Sequence, residues 1–75
     1  MNKKTIEIAI KSEFITLGQF LKFADIISTG GEAKMFLAEN EVYINGELDT
    51  RRGRKLRDGD KLKILNKVYE ITNGC

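Results

Sequence analysis

The sequence predicts a small α+β domain in which two short helices pack against a small, mostly antiparallel β-sheet. A chain of 75 residues with a hydrophobic fraction of 41% can form one compact core. Apolar residues recur at two-residue spacing near both ends of the chain and at helical spacing between them. Pairs of turn-forming residues divide the second half. The predicted order is β-α-α-β-β-β, as a single domain over residues 1–75.

The first predicted element is a β-strand with one buried face. In the segment TIEIAI, three isoleucines alternate with Thr5, Glu7 and Ala9. Side chains on a strand point alternately to opposite faces, so this spacing places the isoleucines together against the core. The charge of Glu7 also distinguishes the segment from the apolar stretch of a signal peptide.

Two helices follow. In ITLGQFLKFADII, Thr16 and Gln19 have the capping-box spacing, which lets each side chain bond a free backbone amide of the first turn. In STGGEAKMFLAEN, Thr29 and Glu32 repeat this spacing. Almost no sequence separates the two patterns, which predicts a tight corner between adjacent helices.

Three strands are predicted in the second half. VYI is followed by Asn45-Gly46, a pair typical of a two-residue hairpin turn. KLKIL and KVYEI predict two further strands on either side of a turn at Asn66-Lys67. DGD marks the turn that precedes them.

The composition argues against an enzyme. The chain has no histidine and one cysteine, Cys75, so the commonest general base and the usual zinc ligands are missing. Asp58 and Asp60 flank a glycine beside many cations, and we interpret them as turn residues. We expect no catalytic residue, metal, cofactor or small-molecule substrate. No apolar run approaches the ~20 residues that span a bilayer, which favours a cytoplasmic protein without a membrane partner.

The charge is concentrated in the segment TRRGRKLRDGDK. This segment contains every arginine of the chain: Arg51, Arg52, Arg54 and Arg57. Residues 1–49 carry five lysines and eight acids, for a charge of −3, whereas residues 50–75 carry eight basic groups and three acids, for +5. Guanidinium groups bind phosphate bidentately and stack on bases. The pattern therefore favours a nucleic-acid-binding surface, and a solvated loop is the structural alternative.

No aromatic stacking platform is predicted. We interpret the four phenylalanines mainly as core residues, and Tyr43 and Tyr69 as candidates for the surface. Because nothing in their spacing repeats as in a sheet that binds single strands, we expect any contact with RNA to depend on phosphates and shape.

The segments EAKMFLAENEVYINGE and RKLRDGDKLKI resemble the RNA-binding domain named after small-subunit ribosomal protein four, the alpha-L RNA-binding motif. The resemblance covers residues 15–65, and LGQFLKFADIISTGGEAK is similar to the small stand-alone members of the YaaA-like type. It implies a non-enzymatic protein that binds structured RNA of the ribosomal or transfer RNA class. The ribosomal subunit or a ribosome-assembly particle is the implied partner.

Together, the resemblance and the segment TRRGRKLRDGDK predict an RNA-binding surface that is formed by the helices, the hairpin turn and this segment. Its residues are Lys22, Gly30, Gly31, Lys34, Asn45, Arg51, Arg52, Arg54, Lys55 and Arg57. Many family members have arginine where this chain has Thr16 and Gly30. More of the RNA contact is therefore expected from the segment TRRGRKLRDGDK. Gly30 and Gly31 would either present amides to a phosphate or allow close helix packing.

Two other functions remain open from the sequence. The basic segment could dock on an acidic protein surface, which would make the chain a protein-interaction adaptor. DNA binding ranks lower, because the predicted helices are short and carry few side chains that could read bases.

Overall fold

The computed structural model of this chain describes residues 5–73. The secondary structure elements are β1 (Thr5–Ile10), β2 (Ile15–Thr16), α1 (Leu17–Phe23), α2 (Glu32–Glu39), β3 (Val42–Ile44), β4 (Glu47–Leu48), β5 (Lys55–Leu56), β6 (Lys61–Ile64) and β7 (Lys67–Asn73). None of the helices in residues 5–73 has the length and apolar character needed to cross a membrane. Cys75, invoked above, lies outside the described residues.

Five strands form one sheet, in the order β1-β7-β6-β3-β4, and β2 pairs with β5 in a separate two-stranded ribbon. The pairs are antiparallel except for β1 and β7, which run parallel with Thr5 opposite Val68. The predicted α+β class, with two helices and a mostly antiparallel sheet, is confirmed. The two-residue strands β2, β4 and β5 were not predicted, because pairing this short leaves almost no periodic signal in a sequence.

The core lies between the helices and the inner face of the sheet. Leu62 and Ile64 are buried, and Lys61 and Lys63, which alternate with them, are exposed, as the sequence pattern predicts. Phe20 of α1 is fully buried and packs edge-on against Tyr69, with ring centroids 5.3 Å apart. The interpretation of Tyr69 as a surface residue is therefore wrong. Its register opposite Leu62 places it on the core face.

Helix α1 begins as predicted and ends early. At its start, Thr16 Oγ1 accepts from the Gln19 amide and Gln19 Oε1 accepts from the Thr16 amide, which confirms the capping box. At its end, Asp25 adopts a left-handed φ of 63°. Its amide donates to Lys22 O at 3.0 Å, and the Ile26 amide donates to Leu21 O at 2.9 Å. These two bonds form a Schellman motif, so the ADII of the predicted helix is not helical.

Helix α2 begins at Glu32 after an eight-residue connection, residues 24–31, so the prediction of a corner almost without linker is wrong. The helix has Gly31 as N-cap and no side-chain cap bond. The Glu32 carboxylate instead accepts from the amides of Ser28 at 2.6 Å and Thr29 at 3.0 Å. Of the second predicted capping box, only the bond from the Thr29 amide to the Glu32 side chain forms. The two bonds stabilise the ionised form and lower the pKa of Glu32.

The hairpin between β3 and β4 turns at Asn45-Gly46, with φ angles of 53° and 86°, as the sequence predicts. The turn between β6 and β7 lies at Leu65-Asn66 instead of the predicted Asn66-Lys67, with φ angles of 51° and 67°. Ending β6 at Ile64 keeps the apolar residues of both strands on the inner face. A shift of one residue would turn one strand over.

The left-handed backbone at Leu65 costs stability, because its Cβ crowds the following carbonyl oxygen. Leu65 is 57% exposed, so its side chain adds little packing. We expect Leu65→Asn to raise the free energy of unfolding by about 0.5 kcal/mol, since asparagine tolerates this conformation better. Urea denaturation measures the change. Leu48→Asn, at a leucine of 56% exposure on β4, is the matched control and should give no gain. Equal losses in both variants would contradict the prediction.

Candidate nucleic-acid interface

The arginine segment, residues 51–57, is fixed by its backbone to the start of α1. The Leu17 amide donates to the carbonyl of Arg54 at 2.7 Å, and the Gly18 amide donates to the carbonyl of Arg52 at 2.9 Å. Amides of a first helical turn have no partner within the helix, so these bonds satisfy both groups at once. Strands β2 and β5 pair beside them. The segment is therefore an ordered part of the fold, unlike a loop held only by solvent.

The Arg52 side chain packs against the first turn of α1 at Gly18. A Cβ atom added at Gly18 would lie 2.7 Å from Arg52 Cγ, so glycine is what allows the arginine to lie there. Arg52 shares one shallow groove with Lys22 and Gly30, and a second with Lys34. The structure thus brings together four of the predicted residues, with Arg52 between the lysines of the two helices.

Asp49 holds two of the predicted arginines. Its carboxylate accepts from Arg51 Nε at 3.1 Å and Nη2 at 2.8 Å, and from Arg54 Nη1 at 2.8 Å. The Asp49 side chain is 10% exposed. The Arg51 guanidinium, together with Arg54, holds the pKa of this carboxyl well below its usual range, and the pKa of Arg51 is raised in return. Both guanidinium groups are oriented, at the cost of a local negative charge.

Lys55 and Arg57 lie over an aromatic ring. Lys55 Nζ is 4.9 Å and Arg57 Cζ is 5.6 Å from the ring centroid of Phe14, within the range of cation–π attraction. Phe14 is only half-buried, so its interpretation as a core residue is wrong. Together with Arg51 and Arg54, these cations line a shallow groove that Asp58 and Asp60 also border.

The two aspartates of the DGD turn, Asp58 and Asp60, serve the fold. Asp60 accepts from the Arg57 amide at 2.8 Å and from Asn45 Nδ2 at 3.0 Å, while Asp58 accepts from the Asn73 amide at 2.9 Å. Their interpretation as turn residues is confirmed. Asn45 also accepts from a backbone amide of β6 through its Oδ1 atom, so its side chain joins the hairpin to this turn.

The two glycines before α2 are open to solvent. A Cβ added at Gly30 would meet no atom within 4 Å, and one at Gly31 would meet only Thr29 Oγ1 at 4.0 Å. Close helix packing therefore does not require glycine at either position, and that interpretation is wrong. Gly30 lines the groove that holds Lys22 and Arg52.

Sequence reasoning missed two groups at this surface. Asp49 lies two residues before Arg51 and accepts its amide at 3.0 Å, a local turn that the spacing could have suggested. Phe23 was interpreted as core, yet its side chain is 62% exposed because α1 ends at this residue. No sequence signal indicated that the helix would end there.

The lowered pKa of Asp49 makes its contribution to stability depend on pH. A carboxyl with a folded pKa below its unfolded value stabilises the fold at neutral pH, and this contribution is lost as pH falls below about 5. We expect Asp49→Asn to lower the free energy of unfolding by about 1–2 kcal/mol at pH 7, because charge-assisted hydrogen bonds to two guanidinium groups are lost while one oxygen acceptor remains.

The difference between this variant and the unmodified protein should shrink as pH falls towards 3, because the Asp49 carboxyl then binds a proton in the unfolded chain but stays ionised in the folded one. Urea denaturation at pH 7, 5 and 3 measures it. Glu47→Gln removes one charge from an exposed side chain on β4 and serves as the control. A difference that stays constant with pH would show that the charge on Asp49 does not stabilise the fold.

Comparison with known proteins agrees with the arrangement of these elements. The family model described as S4 domain matches residues 8–72. A probable ribosome maturation protein, RlbA of Bacillus subtilis (strain 168), is 61% identical over 57 residues, which cover 76% of this chain and 80% of that protein. The matched region spans both helices, the β3–β4 hairpin and the arginine segment. The chain belongs to the S4 domain family.

Proposed function

We propose that this protein binds structured RNA of the ribosome, or of a ribosome-assembly particle, in the cytoplasm and without catalysing a reaction. Membership of the S4 domain family supports RNA binding, and the name of the Bacillus subtilis relative supports a role in ribosome maturation. The observation that carries the proposal is the position of Arg52, which lies between Lys22 and Lys34 on an ordered backbone.

Each cation of this surface has a proposed role. Arg52, Lys22 and Lys34 bind phosphates where the two helices meet the arginine segment. Arg51 and Arg54 are oriented by Asp49, which prepares their guanidinium groups for phosphate or base edges. Lys55 and Arg57 extend the surface beyond them.

The uncharged residues have supporting roles in this surface. Gly30 and Gly31 leave room for a sugar–phosphate chain to approach the start of α2. Asn45 acts indirectly, because its side chain holds the turn that leads out of the arginine segment.

Removal of Arg52 tests the centre of this surface. We expect Arg52→Ala to weaken binding to a structured ribosomal RNA fragment roughly 3- to 10-fold and to reduce the slope of log affinity against log salt by about one. Titrations between 50 and 200 mM salt give both numbers. The fold should be kept, because the backbone carbonyl bonded to Gly18 remains.

Lys67→Ala is the matched control, since Lys67 is an exposed cation at the start of β7, away from the helices. The unmodified protein should bind RNA with a strong dependence on salt. Affinity that stays flat with salt, or an Arg52 variant that behaves as the control does, would refute the proposal. Recovery of one protein partner after complete nuclease digestion would favour the adaptor function instead.

The groove beside Gly30 gives a second test, because this position accepts a side chain without collision. We expect Gly30→Leu to lower RNA affinity about 10-fold, since the leucine would occupy the space between Lys22 and Arg52 that a phosphate needs. Gly30→Ala should have a smaller effect. Thermal denaturation should show that neither variant is less stable. If both variants bind RNA as tightly as the unmodified protein, the RNA does not pass through this groove.

A further inference from the structure

Phe23 presents a rigid aromatic ring to solvent. Its side chain is 62% exposed, whereas Phe20, one turn earlier, is fully buried. Phe23 is the last residue of α1, and the Schellman bonds of Asp25 and Ile26 close the helix directly after it. The ring is therefore carried by a well-anchored backbone, which differs from an aromatic residue on a mobile loop.

The ring lines a shallow groove together with Phe14. The groove has a volume of about 820 Å³ and is bounded on one side by the end of β1. Its lining combines the two aromatic rings with the polar side chains of Lys11, Ser12 and Gln19. A flat apolar wall with polar groups around it is suited to a planar ligand whose edges carry hydrogen-bonding atoms.

Phe14 connects this groove to the arginine segment. Lys55 Nζ and Arg57 Cζ lie 4.9 Å and 5.6 Å from its ring centroid. Two cations thus stand beside the aromatic groove, on the side of the proposed phosphate-binding surface. A ligand that fits both features has a planar ring system joined to a negatively charged backbone.

We propose that the Phe14–Phe23 groove binds an unpaired nucleobase of the RNA, which stacks on the Phe23 ring while Lys55 and Arg57 hold the adjacent phosphates. This inference rests on the proposed function and adds the kind of RNA. A base within an A-form duplex is already stacked and paired, so only a nucleotide in a loop, bulge or end can reach the ring. The site therefore selects RNA that carries an unpaired nucleotide beside a helix.

The other exposed apolar side chains do not share this setting. Within residues 5–73 these are Ile6, Met35, Leu48 and Leu65, which are 39%, 67%, 56% and 57% exposed. None of them is aromatic, and single exposed apolar residues are common on protein surfaces. Phe23 differs because a second aromatic ring shares its groove and that ring is contacted by two cations. This charge favours a nucleic acid as the occupant over an uncharged apolar segment of a protein.

The test compares two RNA hairpins of the same sequence in the stem, one with a bulged 2-aminopurine and one fully paired. The full-length protein should bind the bulged hairpin more tightly and quench its fluorescence. We expect Phe23→Ala to weaken binding to the bulged hairpin about 5- to 100-fold and to leave binding to the paired hairpin nearly unchanged. Phe23→Tyr should restore both binding and quenching, whereas Phe23→Leu, apolar but without a π-system, should not.

Met35→Ala removes a side chain of similar exposure from α2 and is the control for a general surface effect. If Phe23→Ala binds the bulged hairpin as Met35→Ala does, or if leucine restores binding as well as tyrosine, the stacking site is refuted. Salt-dependent binding of the paired hairpin would then still support the proposed function. Failure of the protein to bind either hairpin would refute both.

Discussion

The two backbone hydrogen bonds between the start of α1 and the arginine segment are the constraint on which the rest of this surface depends. Leu17 and Gly18 are both buried residues, and their amides donate to the carbonyls of Arg54 and Arg52, respectively. A helix N-terminus often binds an anion through free amides. Here these two amides are already bonded to protein, so phosphate binding at this point depends on side chains. In the proposed function, a row of oriented cations takes the place of the free amides.

Asp49 orients two arginines of this row in the folded protein itself. Long side chains lose rotational freedom when they bind, at a cost of about 0.5–1.5 kcal/mol for each one immobilised. Asp49 orders two guanidinium groups in the folded protein, so part of this cost is met during folding. The opposing effect is repulsion between the Asp49 carboxylate and a phosphate of the proposed RNA ligand. At an ionic strength of about 0.1 M, salt screens this repulsion beyond about 10 Å. Asp49 therefore orders Arg51 and Arg54, and in exchange it lowers the net positive charge of the surface.

Local patterns in the sequence predicted the features that depend on few neighbours. The capping box of Thr16 and Gln19 and the Asn45-Gly46 turn each involve residues within four positions, and both formed as expected. The end of α1 was missed because asparagine or glycine is the usual left-handed residue, and here Asp25 takes that role. That single residue also decides that Phe23 lies outside the core.

The residues of the candidate site could be proposed from the sequence, but their arrangement in space could not. Lys22, Lys34 and Arg52 stand far apart in sequence, and only the docking of the arginine segment on α1 brings them to neighbouring grooves. Tyr69 and Phe23 show the same limit for aromatic residues. Strand register places Tyr69 on the inner face, and helix length places Phe23 on the surface. The register depends on the pairing of β7 with β6 and the helix length on the single residue Asp25, and neither leaves a periodic pattern in the sequence.

Helix α1 also fixes the distance between the two proposed contacts with RNA. Its first turn carries the bonds to the arginine segment, and its last residue carries the exposed ring. Seven helical residues at 1.5 Å each span about 10 Å, which is roughly one or two nucleotides of an extended strand. Because both ends of α1 are closed by hydrogen bonds, the backbone distance between its first turn and its last residue is fixed. A rigid spacer of this length favours RNA in which an unpaired base lies one or two nucleotides from a phosphate bound by the arginine segment.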